Sequence, residues 1–284
     1  MPGQLAVLVT GASSGIGRAT ALEFARRGYR VFAAARTASA LAELSAASSA
    51  ITAVTMDVTD PASVRVGWAK IEAETGGAGI DVLVNNAGFA LTGPLEVLTD
   101  DDIRRQFATN VFGLLSLTRI VLPGMRARRS GRIINISSVL GRFAMPGVGA
   151  YAATKYAVEA LSDAMRQEVA GFGIRVVIME PGFVATNIAG ASDAHASSGT
   201  SVPDAYAPLV AASQKYMSDQ MAKATPAETI ATAIVKAAED RDPRTRYVVP
   251  ARARALITLL TSLPDRLYDR AMRRTLGLGK GDVA

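Results

Sequence analysis

Apolar runs of strand length alternate along this chain with longer segments whose apolar positions recur at helical spacing. The runs are Leu5–Thr10, Arg30–Ala35, Ile51–Thr55, Val82–Asn85, Arg132–Ser137, Ile174–Met179 and Arg246–Val249. They are rich in Val and Ile and apolar at consecutive positions, as strands covered on both faces must be. Between them, amphipathic helices are predicted over Ile16–Arg27, Ala38–Ser45, Pro61–Thr75, Asp101–Leu122, Ala150–Ala170 and Pro226–Glu239. Strict alternation of strand and helix predicts an α/β fold, a doubly wound parallel sheet of about seven strands with helices on both faces.

Two stretches break the rhythm. Residues 187–225 are rich in Ala and Ser, contain Pro203 and Pro208, and lack a clean period. An interruption of that length is expected to be a lid or substrate loop. Residues 251–284 form a basic amphipathic extension. Leu256, Leu259, Leu260, Leu263, Leu267 and Met272 suggest one or two short helices around Pro264. Residues 1–250 then read as one catalytic unit.

Charge and composition narrow the chemistry. The formal net charge is +6, and residues 250–284, with seven Lys/Arg and three Asp, hold +4 of it. The basic balance is a property of the extension. It is not interleaved with aromatics as a nucleic-acid surface would be, so no nucleic-acid partner is expected. The extension could touch an anionic membrane, cover a substrate mouth, join a subunit contact, or simply pack with a solvated charged face. The chain has no cysteine and one histidine, His195, in a small polar stretch that reads as surface loop. Disulfides, thiolate catalysis and Cys- or His-rich metal sites are thereby excluded, and no metal is expected. No unbroken apolar run approaches the ~18–20 residues of a membrane span, and the first apolar run leads straight into a glycine loop. The expectation is a cytoplasmic protein, with membrane association through the extension as its variant.

The first run ends in Thr10-Gly11-Ala12-Ser13-Ser14-Gly15-Ile16-Gly17, followed by a helix. Gly11 allows the sharp turn, Gly15 clears the backbone for a pyrophosphate, and Gly17 permits close packing of helix on strand. The spacing is Gly-x3-Gly-x-Gly, not the Gly-x-Gly-x-x-Gly fingerprint, and a tight strand–helix turn needs glycine on steric grounds alone. Its place at the first β–α turn favours nucleotide binding. Where an NAD site puts an Asp or Glu for the ribose 2′-hydroxyl, this chain has Ala35, followed by Arg36. A missing carboxylate beside a guanidinium suits the 2′-phosphate of NADP. Arg18 is a second candidate contact. The competing reading of Arg36 is a solvated loop arginine.

Ser138 ends the fifth run; Tyr151 follows thirteen residues later and Lys155 four after that. On a helix, i and i+4 share a face. A free tyrosine titrates near ~10 and is a poor base at neutral pH. An adjacent ammonium, joined by an oxidised nicotinamide, would lower that value. Ser138 would hold a substrate oxygen beside the phenol.

With these residues in this order, the chain resembles the short-chain dehydrogenase/reductase family, in its subgroup built as one Rossmann-type domain, over roughly residues 4–250. The loop Gly11, Ser13, Ser14, Gly15, Ile16, Gly17 resembles the family's TGxxxGIG motif. Asp57, with Val58, resembles the adenine-contacting position. Asn86, Ala87 and Gly88 lie in the NNAG motif, and Pro181, Gly182, Val184 and Thr186 in the PGxxxT segment beside the nicotinamide. Asn110 resembles the asparagine of a proton relay, and Ser138, Tyr151 and Lys155 the catalytic serine and YxxxK pair. The resemblance implies that Tyr151 exchanges a proton with a carbonyl or alcohol, that Lys155 bonds the nicotinamide ribose and tunes Tyr151, and that Asn110 and a water chain refill the proton. Ala35 and Arg36 favour NADP(H) over NAD(H) as cofactor, and the resemblance implies a homodimer or homotetramer as assembly.

The sequence between Ser138 and Thr186 is similar to family members acting on steroids, retinoids and other lipophilic ketones or alcohols. Phe143, Met145 and Val148, with Val202, Tyr206, Leu209, Val210, Tyr216 and Met217 of the lid, would wall an apolar pocket or pack the lid on the body. Two rival functions stand beside the oxidoreductase: a catalytically silent NADP-binding regulator, and a sugar-nucleotide epimerase or dehydratase. The intact Ser138, Tyr151 and Lys155 speak against the first. The glycine spacing and the lack of a large C-terminal substrate domain speak against the second.

Overall fold

The computed structural model describes residues 4–185 and 202–278. Seven strands form its main sheet: β1 (Ala6–Thr10), β2 (Arg30–Ala35), β3 (Ile51–Thr55), β4 (Val82–Asn85), β5 (Gly131–Ile136), β6 (Ile174–Pro181) and β7 (Arg246–Val249). The helices are α1 (Gly15–Arg26), α2 (Ser39–Ala47), α3 (Pro61–Glu74), α4 (Asp100–Phe107), α5 (Leu114–Arg128), α6 (Gly149–Val169), α7 (Ala207–Met221), α8 (Ala227–Glu239), α9 (Ala253–Thr261) and α10 (Asp265–Thr275). The strands lie in the order β3-β2-β1-β4-β5-β6-β7, each pair parallel. The order reverses between β1 and β4, the place where open parallel sheets build their crevice.

Two-sided burial explains the continuous apolar runs. Val7, Val9, Val31, Ala33 and Val84 pack into one core with Phe24 of α1 and Ile230 and Ile234 of α8. Their neighbours Ala6, Leu8, Phe32, Ala34 and Leu83 pack into the other, with Ile71 of α3 and Leu117, Val121 and Met125 of α5. Burying one such Val, Leu or Phe side chain contributes about 1.5–3 kcal/mol, so both faces of the sheet help to fix its register.

The structure departs from the sequence reading at two places. The helix predicted over Asp101–Leu122 runs unbroken from Asp100 to Arg128, with a π-turn at Ala108–Gly113 and Pro123 inside α5. The predicted helix ended one residue before Pro123, whereas the helix continues past it with Val121 and Met125 packed on the sheet. By length and composition this helix is apolar enough to cross a membrane, although Leu114, Leu117, Val121 and Met125 face the core. Secondly, the expected irregular lid contains α7. Leu209, Val210, Ala212, Tyr216 and Met217 share one face of it, and none of them is fully buried. The short helices expected around Pro264 form as α9 and α10, and the extension folds back on the body: Met272 and Leu276 join Met145 and Val148 in a satellite core with Phe143, Tyr216 and Tyr268 around it. His195, Thr186 and the first part of the lid lie outside the described residues.

Candidate active site

Because the seven strands run the same way, the residues that follow them gather along one edge of the sheet. The glycine loop is built there by its neighbours. Gly11 and Gly15 adopt φ of +62° and +51°, open mainly to glycine. A Cβ on Gly17 would lie 2.2 Å from the Gly11 carbonyl oxygen, so the third glycine serves the loop's own closure. Ser14 precedes α1 without a side-chain cap, and the first turn has no acidic residue. The helix start is thus arranged for an anion, and the cradle fits a phosphate group of a dinucleotide.

The turn after β4 locks this loop. Thr10 Oγ1 accepts from Asn86 N and Ala87 N at 3.0 Å each, and donates to Val84 O at 3.3 Å. Asn86 Nδ2 donates to Thr10 O at 2.8 Å and Gly11 O at 3.2 Å. The Asn86 side chain thus shapes the cradle. A Cβ on Gly88 would lie 3.0 Å from Asn110 Oδ1, a tight approach between this turn and the π-turn residue. Asp57 follows β3, where its Oδ1 accepts from Thr59 N at 2.9 Å and Thr59 Oγ1 at 2.7 Å. Val58 packs against Gly113, whose missing Cβ would meet it at 2.7 Å. Arg36, just beyond buried Ala35, is exposed and joins none of the described ion pairs. Arg18 lies elsewhere, in a groove of about 440 Å³ between α1 and α8 that Ser14, Gly15 and Ala185 also line.

Ser138, Tyr151 and Lys155 come together. Ser138 Oγ accepts from Leu140 N at 3.1 Å, and the Ser138 hydroxyl lies near enough to the Tyr151 phenol to favour its ionised form. Lys155 Nζ stands 5.6 Å from the Tyr151 ring centre and donates to Ile136 O at 2.9 Å. Burial is the main influence on both groups. It pushes the phenol up to about 12, against the nearby Ser138 hydroxyl, and the ammonium down to about 8, against the Glu159 carboxylate. The expected acidification of Tyr151 by Lys155 is therefore not a property of the protein alone.

Asn110 sits in the π-turn, a geometry frequent at functional sites. Its Oδ1 accepts from Phe89 N at 3.1 Å, and its Nδ2 donates to Phe89 O at 2.9 Å and Thr154 Oγ1 at 3.0 Å. Both amide hydrogens are committed, so a water expected at Asn110 would have to bind another atom of that residue. The segment after β6 is pinned at two points: Gly182 N donates to Val249 O at 2.9 Å, and buried Val184 pairs with Thr225. Pro181 closes β6. Over this edge stands α7, where Tyr216 meets Phe183 edge-on at 6.1 Å and Tyr206 donates to Glu96 at 2.5 Å. The sequence reading missed one feature behind Lys155, a cluster in which buried Glu159 and Glu180 meet the part-exposed Arg142 and Arg246. The i+4 spacing of Lys155 and Glu159 was the available signal.

Comparison with known proteins agrees with this arrangement. The sequence profile described as short chain dehydrogenase matches residues 5–197. Retinol dehydrogenase 5 of Homo sapiens is 45% identical over 184 residues, 64% of this chain and only 57% of that relative's length. An NADPH-dependent 3-dehydrocapnine reductase of Ornithobacterium rhinotracheale is 32% identical over 275 residues, covering 95% of this chain and 96% of that protein. Among solved structures, a short-chain dehydrogenase from Streptomyces avermitilis superposes with a TM-score of 0.80 at 35% identity, over 96% of each chain. A short-chain dehydrogenase/reductase from Burkholderia phymatum, in complex with NAD, does so with a TM-score of 0.78 at 26% identity, over 97% of this chain and 96% of that one. On its profile match, its glycine loop and its Ser138–Tyr151–Lys155 constellation, this chain belongs to the short-chain dehydrogenase family.

Proposed function

We propose that the protein is an NADP(H)-dependent oxidoreductase that interconverts a carbonyl and a secondary alcohol on a lipophilic substrate. The observation that carries this reading is the juxtaposition of Ser138, Tyr151 and Lys155, with the Lys155 ammonium over the Tyr151 ring, on the sheet edge that also holds the glycine loop. The cofactor, when bound, supplies hydride transfer and, in its oxidised form, a positive ring. Gly11, Gly15 and Gly17 would receive its pyrophosphate, Asp57 and Val58 its adenine, and Arg36 its 2′-phosphate. Tyr151 gives its proton to the substrate oxygen in reduction and takes one in oxidation, while Ser138 holds that oxygen in place. Lys155 steadies the phenolate.

NADP preference rests on Ala35 and Arg36. A carboxylate at the end of β2 would repel a 2′-phosphate, whereas the exposed guanidinium matches it. The 3-dehydrocapnine reductase is NADPH-dependent by its name, while the Burkholderia neighbour binds NAD. The lipophilic substrate rests on α7, whose apolar side chains are only half-buried above the site, and on Phe143 and Leu140 beside them. The similarity to a retinol dehydrogenase points the same way. The test is oxidation of NADPH and of NADH, followed at 340 nm, with all-trans-retinal, a 3-ketosteroid and a long-chain ketone. Turnover of at least one, faster with NADPH, is expected; no turnover of any would reject the reading.

The extension adds a partner to this reading. Leu256, Leu259 and Leu267 are 58%, 60% and 46% exposed, beside exposed Arg252, Arg254, Arg266 and Arg270. The opposite faces of the same helices are buried through Ile257, Met272 and Leu276. Apolar stripes bordered by arginines complement an anionic lipid surface.

A further inference from the structure

Behind the Tyr151–Lys155 pair lies a group of charges that the chemistry above does not use, with Glu159 and Glu180 buried and their partners part-exposed. Glu159 follows Lys155 by four residues on α6, so the two share its inward face. Arg246, which opens β7, donates from Nε to Glu159 Oε2 at 2.9 Å and from Nη2 to Asp163 Oδ2 at 2.5 Å, and Nε lies 3.3 Å from Glu180 Oε1. Arg142, in the segment after Ser138, stands 3.4 Å from the same Glu180 oxygen. Glu180 sits on β6 with no exposed surface, and its Oε2 has no hydrogen-bond partner. Ser137 faces the cluster from the end of β5: a Cβ on Gly141 would lie 2.7 Å from Ser137 Oγ and 3.0 Å from Glu159 Cγ.

This is a costly arrangement. Buried ion pairs recover their desolvation penalty only with full hydrogen bonding, and an apolar core of the same shape is often as stable. Here the hydrogen bonding is incomplete. Burial holds the Glu159 carboxyl above its usual range, and the neighbouring Glu180 adds to that. Three carboxylates (Glu159, Asp163 and Glu180) face two guanidinium groups. The next cation along α6 is Lys155, only 6% exposed and disfavoured as an ammonium by its burial. The Glu159 charge works against that disfavour.

We propose that Glu159, held by Arg246, is a positioning residue that keeps Lys155 charged in its dry site. The carboxylate thereby sets the upper pH limit at which the Tyr151–Lys155 pair works. This rests on the chemistry proposed for that pair. Glu180 contributes from β6 by crowding a second negative charge into the same space, and the Arg246 guanidinium favours the ionised Glu159 carboxylate.

The chain has six lysines, few enough for direct titration of 13Cε-labelled lysine by NMR in the protein without cofactor, with K155M assigning the signal. In E159Q the Lys155 midpoint is expected about one pH unit lower than in the wild type, the order of effect of one nearby charge at an effective dielectric constant of about 20. The alkaline limb of kcat for NADPH-dependent ketone reduction should fall by the same amount, with the plateau at pH 6 kept within about twofold. D163N removes another Arg246 partner from the more exposed side, and should leave both readouts in place. An unchanged Lys155 midpoint in E159Q, or an equal shift in D163N, overturns the proposal. Should E159Q not fold, E180Q takes its place, with a smaller shift in the same direction expected and no shift overturning it. If Y151F retains turnover, the proposed chemistry of the pair fails instead, whatever Lys155 does.

Discussion

Lys155 stands over the face of the Tyr151 ring, 5.6 Å from its centre, and sends its hydrogen bond to the Ile136 carbonyl. The ammonium is held by the end of β5, one residue short of the two serines, so strand and helix fix the pair from both sides. Because burial outweighs attraction in the protein alone, the phenol stays protonated and the ammonium is the more easily discharged of the two. That is the state suited to giving a proton to a carbonyl oxygen. Taking one from an alcohol requires added positive charge beside the phenol.

Tyr151→Phe keeps the ring under Lys155 and removes the proton donor. Turnover in the ketone panel should fall at least about 1,000-fold, within the usual range for loss of a general acid. NADPH affinity, read from the fluorescence of the bound cofactor, should stay within about threefold. Turnover within tenfold of wild type would mean that another group carries the proton.

Lys155 ties stability to pH in a defined direction. Its ammonium is lowered from 10.5 to about 8. Below pH 8 the folded and unfolded chains both hold the proton, and the full cost of the buried charge is present, about 3 kcal/mol. Between pH 8 and 10.5 the unfolded chain binds the proton that the folded one has released, so this group makes stability rise with pH. Lys155→Met should stabilise the fold at pH 7 by about 1–3 kcal/mol, less than the full figure where Glu159 loses its partner, and flatten that rise. Calorimetric melts at pH 7, 8 and 10 would show it. A lower melting temperature at pH 7 would contradict the assignment.

Arg36 and Ala35 should control the choice of dinucleotide. Arg36→Ala is expected to lower the ratio of kcat/KM for NADPH over NADH at least about tenfold, the worth of one charge-assisted contact. Ala35→Asp should lower it further, by repelling the 2′-phosphate and offering an acceptor to a ribose hydroxyl. An unchanged ratio in both variants would place the phosphate elsewhere.

The outer leucines of α9 should decide membrane attachment. Sedimentation with phosphatidylglycerol vesicles is expected to carry down the wild type and not Leu256→Glu/Leu259→Glu, with little binding to phosphatidylcholine at 0.15 M salt. If the double variant changes the molar mass in light scattering and leaves vesicle binding alone, the leucines belong to a contact between two copies of the chain.

What the sequence determined by itself is whatever local chemistry imposes. Apolar runs with Val and Ile at consecutive positions could only be strands covered on both sides, and the core divides Val7 and Val9 from Leu8 as that reading required. The i+4 spacing put Tyr151 and Lys155 on one face, and glycine at positions 11, 15 and 17 marked a turn that side chains would block. Tertiary structure decided the rest, because it depends on groups distant in sequence. Pro123 continues a helix since the sheet supports it, and α7 forms from a weakly periodic segment since it has a body to lie on. The protonation of Tyr151 and Lys155 is set by how deeply the fold buries them. The charge that opposes the burial of Lys155 is that of Glu159, and Glu159 is held by Arg246 from β7, a strand brought beside α6 only by the crossovers. Local pattern names the reactive residues, but the dielectric and the field around them exist only once the chain has closed.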